Sequence, residues 1–121
     1  MNRYGFPDET WSAAKREATI ALTDRAKLRG MMAYSELIRY ITTIHFDAYD
    51  QRLFDLLGQI SKSEEMAGRG MLSAIVVHKT GDMEPGPGFF ELAAQLGRKT
   101  SDRTKCWVEE IKRVYKHWAK D

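Results

Sequence analysis

Between Leu72 and Leu96 the chain passes from an apolar run, through a turn crowded with glycine and proline, into a second apolar run. This order constrains the fold more than any other stretch. Met71–Lys79 reads as a strand, and its apolar centre Leu72-Ser73-Ala74-Ile75-Val76-Val77 shows no polar alternation, which predicts cover on both faces. The following Thr80-Gly81-Asp82-Met83-Glu84-Pro85-Gly86-Pro87-Gly88 cannot continue a ladder, because Pro85 and Pro87 lack backbone donors. Phe89 to Leu96 then reads as a short helix, with Phe89, Phe90, Leu92, Ala93 and Leu96 apolar and Gly97 closing it.

The rest of the pattern is helical. Asp8 is placed to cap a first helix over about 9–29, on which Trp11, Ala14, Ala18, Ala21, Leu22 and Ala26 share one face and Gly30 is the expected C-cap. Met31–Tyr34 is short enough to be a strand or an extended link, and Ser35 opens a second helix carrying Leu37, Ile38, Ile41 and Ile44. Phe46-Asp47 breaks it, with Asp47 a cap for a third helix from Tyr49 to Ile60. Gly58 costs that helix roughly 1 kcal/mol relative to alanine, so either another backbone approaches there or the helix ends early. Ser61–Glu65 is expected to start a fresh turn, and Gly68-Arg69-Gly70 to end the helical region. Thr100-Ser101-Asp102 caps a last helix with Trp107, Ile111, Val114, Tyr115 and Trp118 on one face.

At 121 residues, 43% hydrophobic and 30% charged, the chain has the size and balance of one globular domain over 1–121. It has no run of ~18 apolar residues and no signal-like N-terminus, and its one cysteine, Cys106, suits a reducing compartment. The expected location is therefore cytoplasmic, with no membrane partner. The net charge of +2 conceals an asymmetry: residues 98–121 carry +4 and residues 31–67 carry −3. Such a distribution speaks to partners.

No residue set carries a recognisable reaction. Cys106 sits inside a helix with no base partner in sequence, and His45, His78 and His117 lack metal-ligand spacing. Asp47, Asp50, Asp55, Glu64 and Glu65 read as a solvated face, and Glu91 as a charge suited to a helix start. Gly81, Gly86 and Gly88 precede a helix, where backbone N–H groups can meet an anion, but Pro-Gly-Pro-Gly-Phe-Phe matches neither the Walker A nor the dinucleotide fingerprint. No cofactor is implied. Cations concentrate at two ends: Arg25, Lys27 and Arg29 on the first helix, and Lys105, Lys112, Arg113, Lys116 and Lys120 on the last. Glu109 is spaced to pair with Lys105 and Arg113.

The order helix, short link, helix, helix, strand and Gly/Pro turn resembles a winged helix-turn-helix domain over about 9–90. Tyr34-Ser35-Glu36-Leu37 opens its second helix, Tyr49 to Ile60 forms its third, and Leu72 to Gly88 supplies strand and wing. The run Gly68–Val77 followed by Pro-Gly-Pro-Gly-Phe-Phe-Glu-Leu-Ala also resembles small bacterial proteins of no assigned activity. The resemblance implies a helix-rich α+β fold, with a winged-helix-like core over 9–97 and a basic amphipathic helix over 98–121. It also implies DNA binding through the third helix. That helix offers Asp50 and Asp55 against Arg52, so phosphate attraction would fall to the basic ends, with Gly86 and Gly88 a minor contributor. The expected function is a non-catalytic nucleic-acid-associated module such as a small DNA-binding regulator. The alternative is a protein-interaction domain (antitoxin, immunity protein or adaptor), served by Trp11, Met31, Met32, Trp107, Tyr115 and Trp118. A homodimer through the aromatic last helix is an arrangement open to either.

Overall fold

A computed structural model describes residues 4–79 and 84–119. The first helix, α1 (Asp8–Lys27), starts after Pro7, with Asp8 and Glu9 in its first turn rather than at the cap. Trp11, Ala14, Ala18, Ala21, Leu22 and Ala26 are buried along it, as the periodicity predicts. Its C-terminus departs from expectation. Leu28 is the C-cap, and Arg29, not Gly30, takes the left-handed conformation at φ 55°. The N–H of Gly30 reaches the Arg25 carbonyl at 3.1 Å and that of Arg29 reaches Ala26 at 3.0 Å, a Schellman closure. Gly30 is needed for space: a Cβ there would lie 2.6 Å from Arg25 Cδ.

Met32–Ala33 is a two-residue strand, β1, followed directly by α2 (Tyr34–Tyr40), whose N-cap is Ala33 and not Ser35. Asp50, not Asp47, caps α3 (Gln51–Met66) by accepting from the Arg52 N–H at 3.0 Å. This helix runs unbroken through Gly58 and through Ser61–Glu65, so neither an early end nor a fresh turn occurs. Gly68 (φ 79°) then closes it, as Gly97 (φ 89°) closes the later α4 (Pro87–Gln95).

The apolar run after Met71 is mostly not a strand. Leu72–Ile75 forms a 3₁₀ turn, and only Val76–Val77 is extended as β2, pairing in parallel with β1 in the register Met32↔Val76 and Ala33↔Val77. Backbone groups that would have entered a ladder are taken by other partners. The Met71 N–H donates to Glu110 Oε2 at 2.8 Å, the Ser73 N–H to Ser61 Oγ at 3.0 Å, and the Ala74 N–H to the Met71 carbonyl at 3.0 Å. The cover on both sides is as the sequence implies: every residue from Met71 to Val77 is buried.

The last helix, α5 (Arg103–Trp118), is capped by Asp102, which accepts from the Lys105 N–H at 3.1 Å. One apolar core joins all the helices, and the 3₁₀ turn lies against α1, α3 and α5. Leu72, Leu53 and Leu37 are fully buried there, where truncation to alanine costs about 2–5 kcal/mol. The architecture is a helix-rich α+β fold with a minimal parallel sheet. No helix among the described residues is long and apolar enough to cross a membrane.

Beside this core lies a buried ionic cluster. Glu110, fully enclosed, accepts from Arg98 Nε at 2.8 Å, from Arg113 Nη1 at 2.7 Å and from the Met71 N–H. Arg98 also pairs with Glu65 at 2.6 Å, which ties α3 to α5 through the segment after α4. Gly70 (φ 88°) passes so close that an added Cβ would lie 3.3 Å from Glu110 Oε2.

Candidate functional site

The cations at the end of α1 have divided roles. Arg25 turns inward: its Nη1 donates to the Met31 carbonyl at 2.7 Å and its guanidinium pairs with Glu36. That bidentate contact holds the Glu36 carboxyl below its usual range. Lys27 makes an exposed pair with Asp24 at 3.8 Å, worth little in water. Arg29 is exposed and lies beside α5. There the Tyr115 hydroxyl donates to the Gly30 carbonyl at 2.8 Å; burial pushes the phenol up, and the Arg29 charge pulls it partly back.

On α5 the buried side is Cys106, Glu110, Ile111, Val114 and Tyr115. Lys105, Lys112 and Lys116 are exposed on the opposite side. Separations of seven and eleven residues at 100° per residue place these three within about 20° of one line, over about 16 Å of helix. None has an ion-pair partner among the described residues. Glu109 lies on the same exposed face and subtracts one charge, yet it forms no salt bridge to Lys105 or Arg113 among the described residues. Arg113 turns instead to Glu110, three residues back. The C-terminal end of the stripe opens on a shallow depression of about 550 Å³, lined by Arg98, Arg113, Lys116, His117, Glu65 and two glycines. Lys120 lies outside the described residues, as does Gly81.

Gly86 and Gly88 sit elsewhere, at the start of α4. The Gly86 N–H donates to the Tyr34 hydroxyl at 3.0 Å, and both glycines border a recess between α3 and α4. The structure therefore brings Arg29 and the last helix together but leaves these glycines apart. Burial pushes the Cys106 thiol up, which disfavours a nucleophilic thiolate. Among the described residues no group of His, Cys, Asp and Glu could hold a metal ion.

Two features escaped the sequence. Arg25 looked like a surface cation, and only its reach to Glu36, eleven residues on, shows otherwise. Exposed Ile20 (61%), Leu28 (78%) and Tyr40 (49%) border a groove of about 440 Å³ between α1 and α2. The signal for it was present, since Ile20 and Leu28 fall off the α1 stripe. No family model, no curated protein and no solved structure matches the chain.

Proposed function

We propose that the chain is a non-catalytic module that docks on nucleic acid through α5. The observation that carries this reading is the line of Lys105, Lys112 and Lys116, exposed and without an ion-pair partner among the described residues. Phosphate backbones attract such a surface because neutralising them releases condensed counterions. α3 is poorly suited to that role, because its one cation near the N-terminus, Arg52, is closed onto Asp50 at 2.6 Å, and Asp55 lies one turn on.

A winged-helix-like core belongs to the same proposal. The element order α1, β1, α2, α3, β2 supports it, while the described sheet is two strands in parallel. Docking by α5 would then differ from the usual entry of a third helix into the major groove. The test is binding of the whole chain to duplex DNA across a salt series. Affinity that rises steeply as salt falls supports the reading, and no binding at about 50 mM salt eliminates it.

A protein-interaction role is the second reading, favoured by the exposed apolar border of the α1–α2 groove. Exposed apolar side chains gathered along one groove are a mark of partner surfaces. Sedimentation of the wild-type chain against Leu28→Glu distinguishes a self-association through this face from a monomer.

A further inference from the structure

Large apolar side chains gather around the groove between α1 and α2. Ile20, Leu28 and Tyr40 border it, all exposed, and Met31, next to groove-lining Met32, is exposed as well. Removing such a patch from water is favourable, which makes it a surface for a partner. Its chemistry narrows that partner. Glu17, Ile20, Asp24 and Leu28 all line the groove and follow one another at steps of three, four and four residues. At 100° and 1.5 Å per residue, this sets them on one side of α1 over about 16 Å, acid and apolar side chains in turn.

Both acids present their charge to the groove. Glu17 is held ionised by the hydroxyl and backbone N–H groups of Thr42 and Thr43. Asp24 is exposed and meets Lys27 only at 3.8 Å, which leaves its oxygens open to a closer cation. Arg25, the cation that lines the groove, is closed onto Glu36. Two copies of this face laid on one another would set carboxylate against carboxylate, a costly arrangement. The occupant that fits carries cations seven residues apart with an apolar side chain between them.

The outer face of α5 has that pattern. Lys105, Val108, Lys112 and Lys116 repeat the steps of three, four and four. All four are exposed, and none of the lysines has an ion-pair partner among the described residues. With the two helices parallel, Lys105 comes level with Glu17, Val108 with Ile20 and Lys112 with Asp24, while the apolar stem of Lys116 comes level with Leu28. Glu109 falls level with Ala21 rather than with an acid. We propose that the α1–α2 groove binds the outer face of α5 from a second copy of this chain. The inference rests on the reading of the groove as a partner surface and does not require DNA binding. The two faces differ, so the contact is heterologous. It takes up the same lysines that nucleic acid would, so a copy held in this way is closed to DNA.

The test is sedimentation equilibrium of the whole chain at low salt, where charge contacts are least screened. The wild-type chain is expected to self-associate, and more weakly as salt rises. Asp24→Lys and Lys112→Asp, both changes at exposed positions, are each expected to weaken the association by about tenfold or more. The double variant Asp24→Lys with Lys112→Asp sets opposite charges against each other again and is expected to recover most of the lost affinity. A wild-type chain that stays monomeric at about 1 mM overturns the proposal. So does a double variant that associates no better than the single ones. An association that Leu28→Glu abolishes and Lys112→Asp leaves unchanged overturns it too, while the groove keeps its standing as a partner surface with a different occupant.

Discussion

The Tyr115 hydroxyl donates a 2.8 Å hydrogen bond to the carbonyl of Gly30, 85 residues away, and so pins the end of α1 to the C-terminal half of α5. The tyrosine is buried, so the bond is more than a surface contact. Tyr115→Phe keeps the ring packing and leaves the carbonyl without this donor. The expected loss is about 1 kcal/mol in urea unfolding with an unchanged m-value. A change below a few tenths would mean that water replaces the hydroxyl at no cost.

Arg29 occupies a left-handed position that glycine takes at the corresponding ends of α3 and α4. Arg29→Gly removes a cation beside α5, so duplex DNA affinity should fall. A binding isotherm at one salt concentration checks the direction.

Glu110 is the most exacting charged group in the core. Burial raises its pKa, but Arg98, the Met71 N–H and Arg113 together hold it below the usual carboxylate range. Glu110→Ala leaves the Met71 N–H without its acceptor and Arg98 with Glu65 alone, at an expected cost of about 3–5 kcal/mol. A double-mutant cycle with Arg98→Ala should return a coupling energy well above the scatter of surface pairs.

Acid stability follows from two more carboxylates. Glu17, clasped by the hydroxyl and backbone N–H groups of Thr42 and Thr43, has its pKa lowered to about 2, and Asp50 is lowered to about 2 by Arg52. A folded-state pKa below the unfolded value stabilises the protein at neutral pH, and that contribution drains away as pH falls from about 5 to 2. Circular dichroism melts across this range should show Tm dropping with pH, and Thr42→Val with Thr43→Val should flatten the drop.

Much of the fold was legible in the sequence, for identifiable reasons. The α1 face and, through Ile111, Val114 and Tyr115, much of the α5 face follow from 3.6-residue periodicity, and the cap of α5 falls within the expected Thr100–Asp102. The 3₁₀ turn was not legible, because an apolar run such as Leu72–Val77 reports burial and says nothing of which groups take its backbone donors. Those were Glu110 and Ser61, 39 and 12 residues away from the N–H groups they accept. The candidate surface was half legible. Composition located the cations of α5, but which were spent in pairs depended on contacts such as Arg25 with Glu36 and Arg113 with Glu110. Gly58 was conspicuous as a helix glycine, yet its open surroundings emerge only in three dimensions.

The docking surface on α5 is tested most directly by the salt dependence of duplex DNA binding for the wild-type chain and for Lys105→Gln, Lys112→Gln and Lys116→Gln combined. Each phosphate contact adds about 0.9 to the slope of log K against log salt. The triple variant should fold with unchanged Tm and lose about 2.7 from the slope, with the largest affinity loss at low salt. An unchanged slope would contradict docking through α5.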